Sequence, residues 1–326
     1  MTIPFRPAWW LPDPHTMTMW GKFLRRRDLT DVQFERIPTP DGDEITLASS
    51  VATGSGPVLL LLHGLEGGVR SHYVGGIWAV ALRKGWQPKM LLFRTCDGRM
   101  NSARRTYHSG ETTDLGLVVE RLRQAQPARP IVLAGISLGG NVMLKWLGEL
   151  GDSVHAQIRA AIAVSTPFDL ARSSKAIASG FARVYQWNFL RSLKRKALEK
   201  LRQHPDVCPR EDLETITTMW DFDDRFTAPL HGFRDAADYY ARSSSLGFLA
   251  AIRRPTLLLS ALDDPFHPAE VLRDVEKVSL ENPFLRLEFH RRGGHVGFVG
   301  GTPWRPAYYV ETRVGSFLED YVRTAG

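Results

Sequence analysis

From Val32 to Val51 apolar and polar residues largely alternate on either side of Pro40-Asp41-Gly42-Asp43. That is the period of strands with one face toward a core, and the Asp-Gly pair marks the turn of an antiparallel hairpin at a sheet edge. Six short, nearly continuous apolar runs follow: Val58 to Leu62, Met90 to Phe93, Ile131 to Ala134, Ala160 to Val164, Thr256 to Ser260 and Phe284 to Phe289. Most of them fit strands buried on both faces, and with the hairpin they make a mostly parallel sheet of eight strands. Between the runs the period changes. Leu115, Val118, Val119 and Leu122 recur at helical spacing, as do Val310, Val314, Phe317 and Tyr321, which predicts helices flanking the sheet. Strand and helix in alternation define an α/β class.

One stretch interrupts the alternation. Residues 170–250 lie between two predicted strands, are helical in composition and rich in aromatics, and are read as a helical cap inserted into a single domain spanning 1–326. Residues 1–30, opening on a Pro-rich stretch from Pro4 to Pro14, form an N-terminal arm that packs on the body. No apolar stretch approaches the roughly 20 residues that span a bilayer, and Met1-Thr2-Ile3-Pro4-Phe5 does not open a secretion signal, so the expected location is cytoplasmic. Cys96 and Cys208, the chain's two cysteines, are expected to be ordinary thiols, with no disulfide framework, metal site or cofactor.

The net charge of +7 is concentrated in two clusters, Lys22, Arg25, Arg26 and Arg27, and Arg191, Lys194, Arg195, Lys196, Lys200 and Arg202. Basic runs on helices are most often solvated faces; beyond that they favour anionic surfaces, so peripheral contact with an anionic membrane is the partner expectation. Nucleic acid is not expected, because no nucleic-acid motif accompanies the charge. Trp9, Trp10 and Trp20 in the arm are read as packing against the body rather than as a membrane anchor.

The chemistry lies elsewhere. Gly135-Ile136-Ser137-Leu138-Gly139 stands directly behind a predicted strand and reads as a sharp strand-to-helix turn with serine at its apex, a nucleophile elbow. A serine hydroxyl needs a base and an orienting acid. His295, in the flexible Arg291-Arg292-Gly293-Gly294-His295 loop behind the last apolar strand, is the base that can reach back over the sheet, whereas His290 falls at the end of that strand. Asp263-Asp264-Pro265-Phe266-His267-Pro268 follows the preceding strand, and its Asp-Pro-x-x-Pro spacing favours Asp264 as the acid, leaving Asp263 as a loop residue or turn acceptor. Asp169 is instead expected to begin the cap. For the developing oxyanion, the backbone N–H of Leu138 lies next to the serine, and the glycine-rich His63-Gly64-Leu65-Glu66-Gly67-Gly68 supplies the N–H of Leu65. His108 is given a structural role, and Asp221, Asp223 and Asp224 a place on a polar cap surface, since they lack the glycine and glutamate of a calcium loop.

With these motifs, together with Asp13-Pro14-His15, Tyr107-His108-Ser109-Gly110-Glu111-Thr112 and Gly297-Phe298, nearly the whole chain resembles the α/β-hydrolase superfamily, and within it the YheT-like subgroup with its related eukaryotic esterases and lipases. The resemblance implies a serine carboxylic-ester hydrolase with the triad Ser137, Asp264 and His295, needing no cofactor. Its implied substrates are short- to medium-chain acyl esters, with glycerolipids or phospholipids used by some members. Arg94-Thr95-Cys96-Asp97-Gly98 departs from the subgroup's Arg-Gly-Cys-Ser-Gly, which bears on pocket shape and leaves the triad untouched. The same residues would serve acyl transfer to an alcohol, and a fold can outlive its activity as a lipid-binding protein.

Overall fold

The computed structural model describes residues 4–25, 29, 31–52 and 54–322. Arg26 and Arg27 of the first basic cluster lie outside the described residues. The strands are β1 (Val32–Pro38), β2 (Glu44–Ser50), β3 (Val58–Leu62), β4 (Gln87–Leu92), β5 (Ile131–Ile136), β6 (Ile158–Val164), β7 (Thr256–Ala261) and β8 (Leu285–His290). They form one eight-stranded sheet in the order β1-β2-β4-β3-β5-β6-β7-β8. The β1–β2 hairpin is antiparallel and sits at the edge, β2 runs antiparallel to β4, and every pair from β4 to β8 is parallel. The chain is an α/β hydrolase fold, with helices on both faces.

The apolar runs are strands because both faces are covered. Successive side chains point to opposite sides of a sheet. Leu60, Leu62 and Leu133 therefore pack under the helices Thr113–Ala125, Leu138–Leu150 and Ala269–Glu281. Leu59, Leu61, Val132 and Ala134 meet the helices Val74–Arg83 and Tyr309–Val322 on the other side. Burying a Leu or Val side chain is worth about 1.5–3 kcal/mol, so these two layers hold the strand ends, and the loops they carry, in fixed relation.

Two elements were not anticipated. Pro14–Leu24 is a helix, with Asp13 as its N-cap accepting the N–H groups of His15 and Thr16. A small antiparallel hairpin, β9 (Val299–Thr302) with β10 (Arg305–Tyr308), precedes the final helix, and the Val299 carbonyl accepts the N–H of Ala8 at 2.8 Å. Trp10 packs edge-on to Trp20 and its indole N–H donates to the Gly301 carbonyl at 3.0 Å.

Between β6 and β7 the regular elements are all helical, beginning with Leu170–Ile177, capped by Asp169, and continuing through the long helix Arg183–Gln203 to Ala236–Ser243. This segment does not behave as a uniformly solvated surface. Lys200, read as part of a solvated basic face, is fully buried, with its ammonium donating to the carbonyls of Asn101 at 2.7 Å and Ala103 at 2.8 Å. Asp223 is also buried, and accepts from the hydroxyls of Tyr240 at 2.6 Å and Thr227 at 2.7 Å.

Candidate active site

The sheet register puts Ser137 one residue beyond β5, at the centre of the sheet's carboxyl edge, where its N–H still donates to the Val164 carbonyl at 2.8 Å. Its backbone lies at φ 53°, ψ −121°, a region that costs an ordinary residue about 1–3 kcal/mol and persists only when the surroundings enforce it. Two glycines enforce it here. A Cβ on Gly139 would lie 2.5 Å from the Leu62 carbonyl oxygen, and one on Gly135 would lie 2.6 Å from the Gly139 carbonyl oxygen, so the helix Leu138–Leu150 can approach the sheet only without those side chains. Glu66, Thr95, Ser165 and Val296, in loops around Ser137, also have positive φ.

The loop behind β8 reaches Ser137. His295 Nε2 lies 2.9 Å from Ser137 Oγ, and its Nδ1 lies 2.9 Å and 3.1 Å from the two carboxylate oxygens of Asp264. Asp263 turns the other way and accepts the N–H groups of Gly293 and Gly294, both at 2.9 Å, which shapes the loop that delivers the histidine. The backbone of that loop is further held by Thr18, whose hydroxyl accepts the His295 N–H at 2.9 Å, and by Ser165, which accepts that of Val296 at 2.9 Å. The structure thus brings Ser137, His295 and Asp264 into one hydrogen-bonded series. His290 ends β8 beside Glu288 and Tyr309, away from that series.

Asp264 is buried, which by itself raises a carboxyl, but the imidazoles of His295 and His267 outweigh burial and hold it well below the usual carboxylate range. An ionised Asp264 accepts the Nδ1 proton of His295 and leaves Nε2 facing the serine as an acceptor. The sequence had given no role to Phe266, yet its ring stacks on His295 at 3.9 Å and 15°, and its N–H donates to Asp264 Oδ1 at 2.9 Å. Thr18 was missed for a different reason: it belongs to the unanticipated N-terminal helix, 277 positions from its partner.

The glycine-rich loop after β3 lies against the serine, for a Cβ on Gly64 would sit 3.2 Å from that of Ser137. His63 is fully buried, and burial lowers its pKa to about 4, so the ring is neutral. Its Nδ1 then donates to the Gly64 carbonyl at 2.7 Å while Nε2 accepts the Phe93 N–H at 3.1 Å. Tyr73 accepts the Gly64 N–H at 2.9 Å, and Tyr107 both accepts the Glu66 N–H at 3.1 Å and donates to the Glu66 carboxylate at 2.8 Å. Gly67 and Gly68 donate to the Gly64 carbonyl and the Ser71 hydroxyl. Among the described residues this leaves the Leu65 N–H as the loop's one backbone donor from 64 to 68 without a protein partner, and Leu65 lines the same cavity as Leu138, the first residue of the helix behind Ser137.

A largely apolar cavity opens beside Ser137 and His295, walled on its far side by the helical segment through Leu170, Ile177, Leu193, Met219, Phe222 and Phe226. Thr95 lines it too, so the departure at Arg94-Thr95-Cys96-Asp97-Gly98 does touch the pocket. His108 also reaches the wall, packed against His231 and Tyr239, and burial lowers its pKa to about 3. Cys96 and Cys208 are free thiols, and burial pushes Cys96 up to about 12. Among the described residues no group of His, Cys, Asp and Glu side chains is arranged to hold a metal ion.

A parallel sheet with a strained serine at its centre, and a histidine and an aspartate delivered by later loops, is the arrangement of the α/β hydrolases, and the chain belongs to that family: the family model for the alpha/beta hydrolase fold matches residues 57–302. Several of the relatives it resembles are named as esterases or lipases. It is 36% identical over 313 residues to the candidate esterase YheT of Escherichia coli (strain K12), covering 94% of this chain and 91% of that protein. It is 33% identical over 251 residues to the monoacylglycerol lipase of Saccharomyces cerevisiae, covering 74% of this chain and 55% of the lipase, about half its length. With phospholipase ABHD3 of Mus musculus it shares 26% identity over 336 residues, 99% of this chain and 80% of that one. An esterase of Pyrococcus furiosus shares the fold with a TM-score of 0.59 at 18% identity, over 98% of this chain and 97% of that one. The chain is therefore an esterase- or lipase-like α/β hydrolase.

Proposed function

We propose that the protein is a serine carboxylic-ester hydrolase that works through an acyl-enzyme on Ser137. The observation that carries this reading is the unbroken series from Ser137 Oγ through His295 to Asp264. His295 Nε2 takes the hydroxyl proton as Oγ attacks the acyl carbonyl, and Asp264 stabilises the imidazolium. The tetrahedral oxyanion accepts from the N–H groups of Leu65 and Leu138; one such donor is typically worth about 3–4 kcal/mol in the transition state. Collapse breaks the ester C–O bond, and the alkoxide leaves with the proton from His295. Water then enters and bonds to the acyl carbon while giving a proton to the same nitrogen, and the second collapse breaks the C–Oγ bond, with His295 returning that proton to Ser137 Oγ as the acid leaves.

Short- to medium-chain acyl esters, glycerolipids included, suit the apolar cavity, and the names of the yeast and mouse relatives support acyl lipids as the class. The two free thiols support a cytoplasmic site of action. The test is hydrolysis of p-nitrophenyl butyrate by purified wild-type protein and Ser137→Ala. Turnover is expected in the first and loss to background in the second; equal rates would refute the assignment.

A further inference from the structure

The helix Arg183–Gln203 has two faces of different use. Phe189, Leu193, Lys196, Ala197 and Lys200 line the cavity. On the opposite side Val184, Trp187, Arg191, Arg195 and Arg202 follow one another at steps of three, four, four and seven, which sets them along one stripe. The stripe is apolar at its start and basic beyond. Val184 is 50% exposed and Trp187 63%, and Phe181, in the turn just before the helix, is 49% exposed.

We propose that this outer face is a docking surface for an anionic phospholipid membrane. Single exposed apolar residues need no explanation, but three large ones grouped at one helix end, followed by cations, have the composition of a helix lying in a lipid headgroup layer. The charge is complementary. The helix carries seven basic residues and one acidic one, Glu199. Inside the protein, Lys196 pairs with Glu66 and Lys200 is held by carbonyls, whereas exposed Arg183, Arg191, Arg195 and Arg202 pair with no carboxylate among the described residues. Arg191 lies over the Trp187 ring at 5.5 Å, so cation and aromatic are presented together.

The neighbouring N-terminal helix extends the face. Its His15 meets the Phe181 ring at 4.6 Å, Met19 packs against the cluster of Ile177, Ala182 and Tyr185, and Phe23, four residues on, is 63% exposed beside Lys22. A lipid surface seated there would be close to the chemistry. Phe181 touches Tyr185, Tyr185 touches Phe266, and Phe266 stacks on His295, at centroid distances of 6.1, 5.0 and 3.9 Å. Of the arm's tryptophans, Trp10 and Trp20 are spent on each other, whereas Trp9, read from the sequence as packing on the body, is 72% exposed.

Co-sedimentation of the full chain with vesicles tests this without requiring turnover, so its outcome is separate from that of the esterase assignment. Vesicles of phosphatidylcholine with about 30% phosphatidylglycerol should bind the protein at low salt, pure phosphatidylcholine should bind it at least about tenfold more weakly, and about 0.5 M NaCl should release it. Arg191→Glu with Arg195→Glu, and separately Trp187→Ser with Val184→Ser, should each lower the bound fraction at least about tenfold while p-nitrophenyl butyrate hydrolysis persists. Absence of wild-type binding to the anionic vesicles, equal binding to both vesicle types, or undiminished binding by both pairs of substitutions would overturn the proposal. So would a wild-type dimer, seen by sedimentation velocity, that the Trp187→Ser pair dissociates while vesicle binding is absent, because a second copy would then be the occupant.

Discussion

Asp263 and Asp264 are adjacent, yet one shapes a loop and the other faces an imidazole. Turn spacing distinguished them in the sequence because the proline after Asp264 starts the turn that aims its carboxylate. The partners that make the difference energetic, His267 and the two glycine N–H groups, become visible only in three dimensions. Under the proposed mechanism Asp264→Asn should lower kcat by about 10⁴ with the fold retained, because the amide no longer holds the catalytic tautomer. Asp263→Ala should act differently, lowering the melting temperature through two unpaired buried N–H groups worth about 1–3 kcal/mol each and leaving a much higher kcat than Asp264→Asn. Steady-state kinetics and thermal melts on the two variants check both; equal losses of kcat would contradict the division of roles. Ser137 and His295 were legible for a simple reason: each follows a recognisable strand in a glycine-marked loop. Phe266 and Thr18 were not, since nothing local distinguishes a ring that stacks on a base, or a hydroxyl that accepts its N–H, from any other aromatic or threonine.

The elements divide along the same line. Runs such as Val58–Leu62 announced themselves because burial on both faces removes every polar residue, whereas β9 and β10 are four residues each, too short for a period to emerge. The helix Pro14–Leu24 was hidden by its proline and its histidine, threonine and tryptophan content, and only its Asp13 cap marks the start. In the helix Arg183–Gln203 the basic run was plain, but charge alone does not say which lysines turn inward; Lys200 finds its acceptors in a loop about a hundred positions earlier. The elbow gives the sharpest element-scale prediction. Gly139→Ala puts a methyl group 2.5 Å from a backbone oxygen and should abolish or severely lower soluble, folded protein, while Gly247→Ala, with nothing within 4 Å of its Cβ, should melt close to wild type. Expression yield and melting temperature distinguish the two.

For the molecule as a whole, two buried ionisable systems contribute to stability beside the apolar core. Arg94, beyond β4, is buried and reaches Asp114 through two bonds of 2.8 Å, Asp43 at 2.8 Å and Asp41 at 3.1 Å, tying the β1–β2 turn to the start of the helix Thr113–Ala125. Arg94→Met leaves Asp43 without its cation, with Asp41 and Asp114 keeping Arg105 alone, and should cost about 3–5 kcal/mol in denaturant unfolding. Asp223 works with the opposite sign. Burial raises its carboxyl to about 6, and the bonds from Tyr240 and Thr227 do not offset it. A raised carboxyl binds protons more tightly folded than unfolded, so its contribution is fully present below the ordinary value of 3.8 and is lost as pH rises through about 6. Asp223→Asn cannot ionise, so its melting temperature relative to wild type should rise between pH 4.5 and pH 8, to roughly the extent the linkage allows; a difference that falls over that range would contradict the burial argument. All of this framework serves to hold one serine against one imidazole, and the most direct measurement of that claim is the mass of the protein after reaction with a fluorophosphonate. A single adduct on the peptide containing Ser137, absent from Ser137→Ala and much slower in His295→Ala, is predicted; ester hydrolysis that survives with Ser137 unlabelled would contradict it.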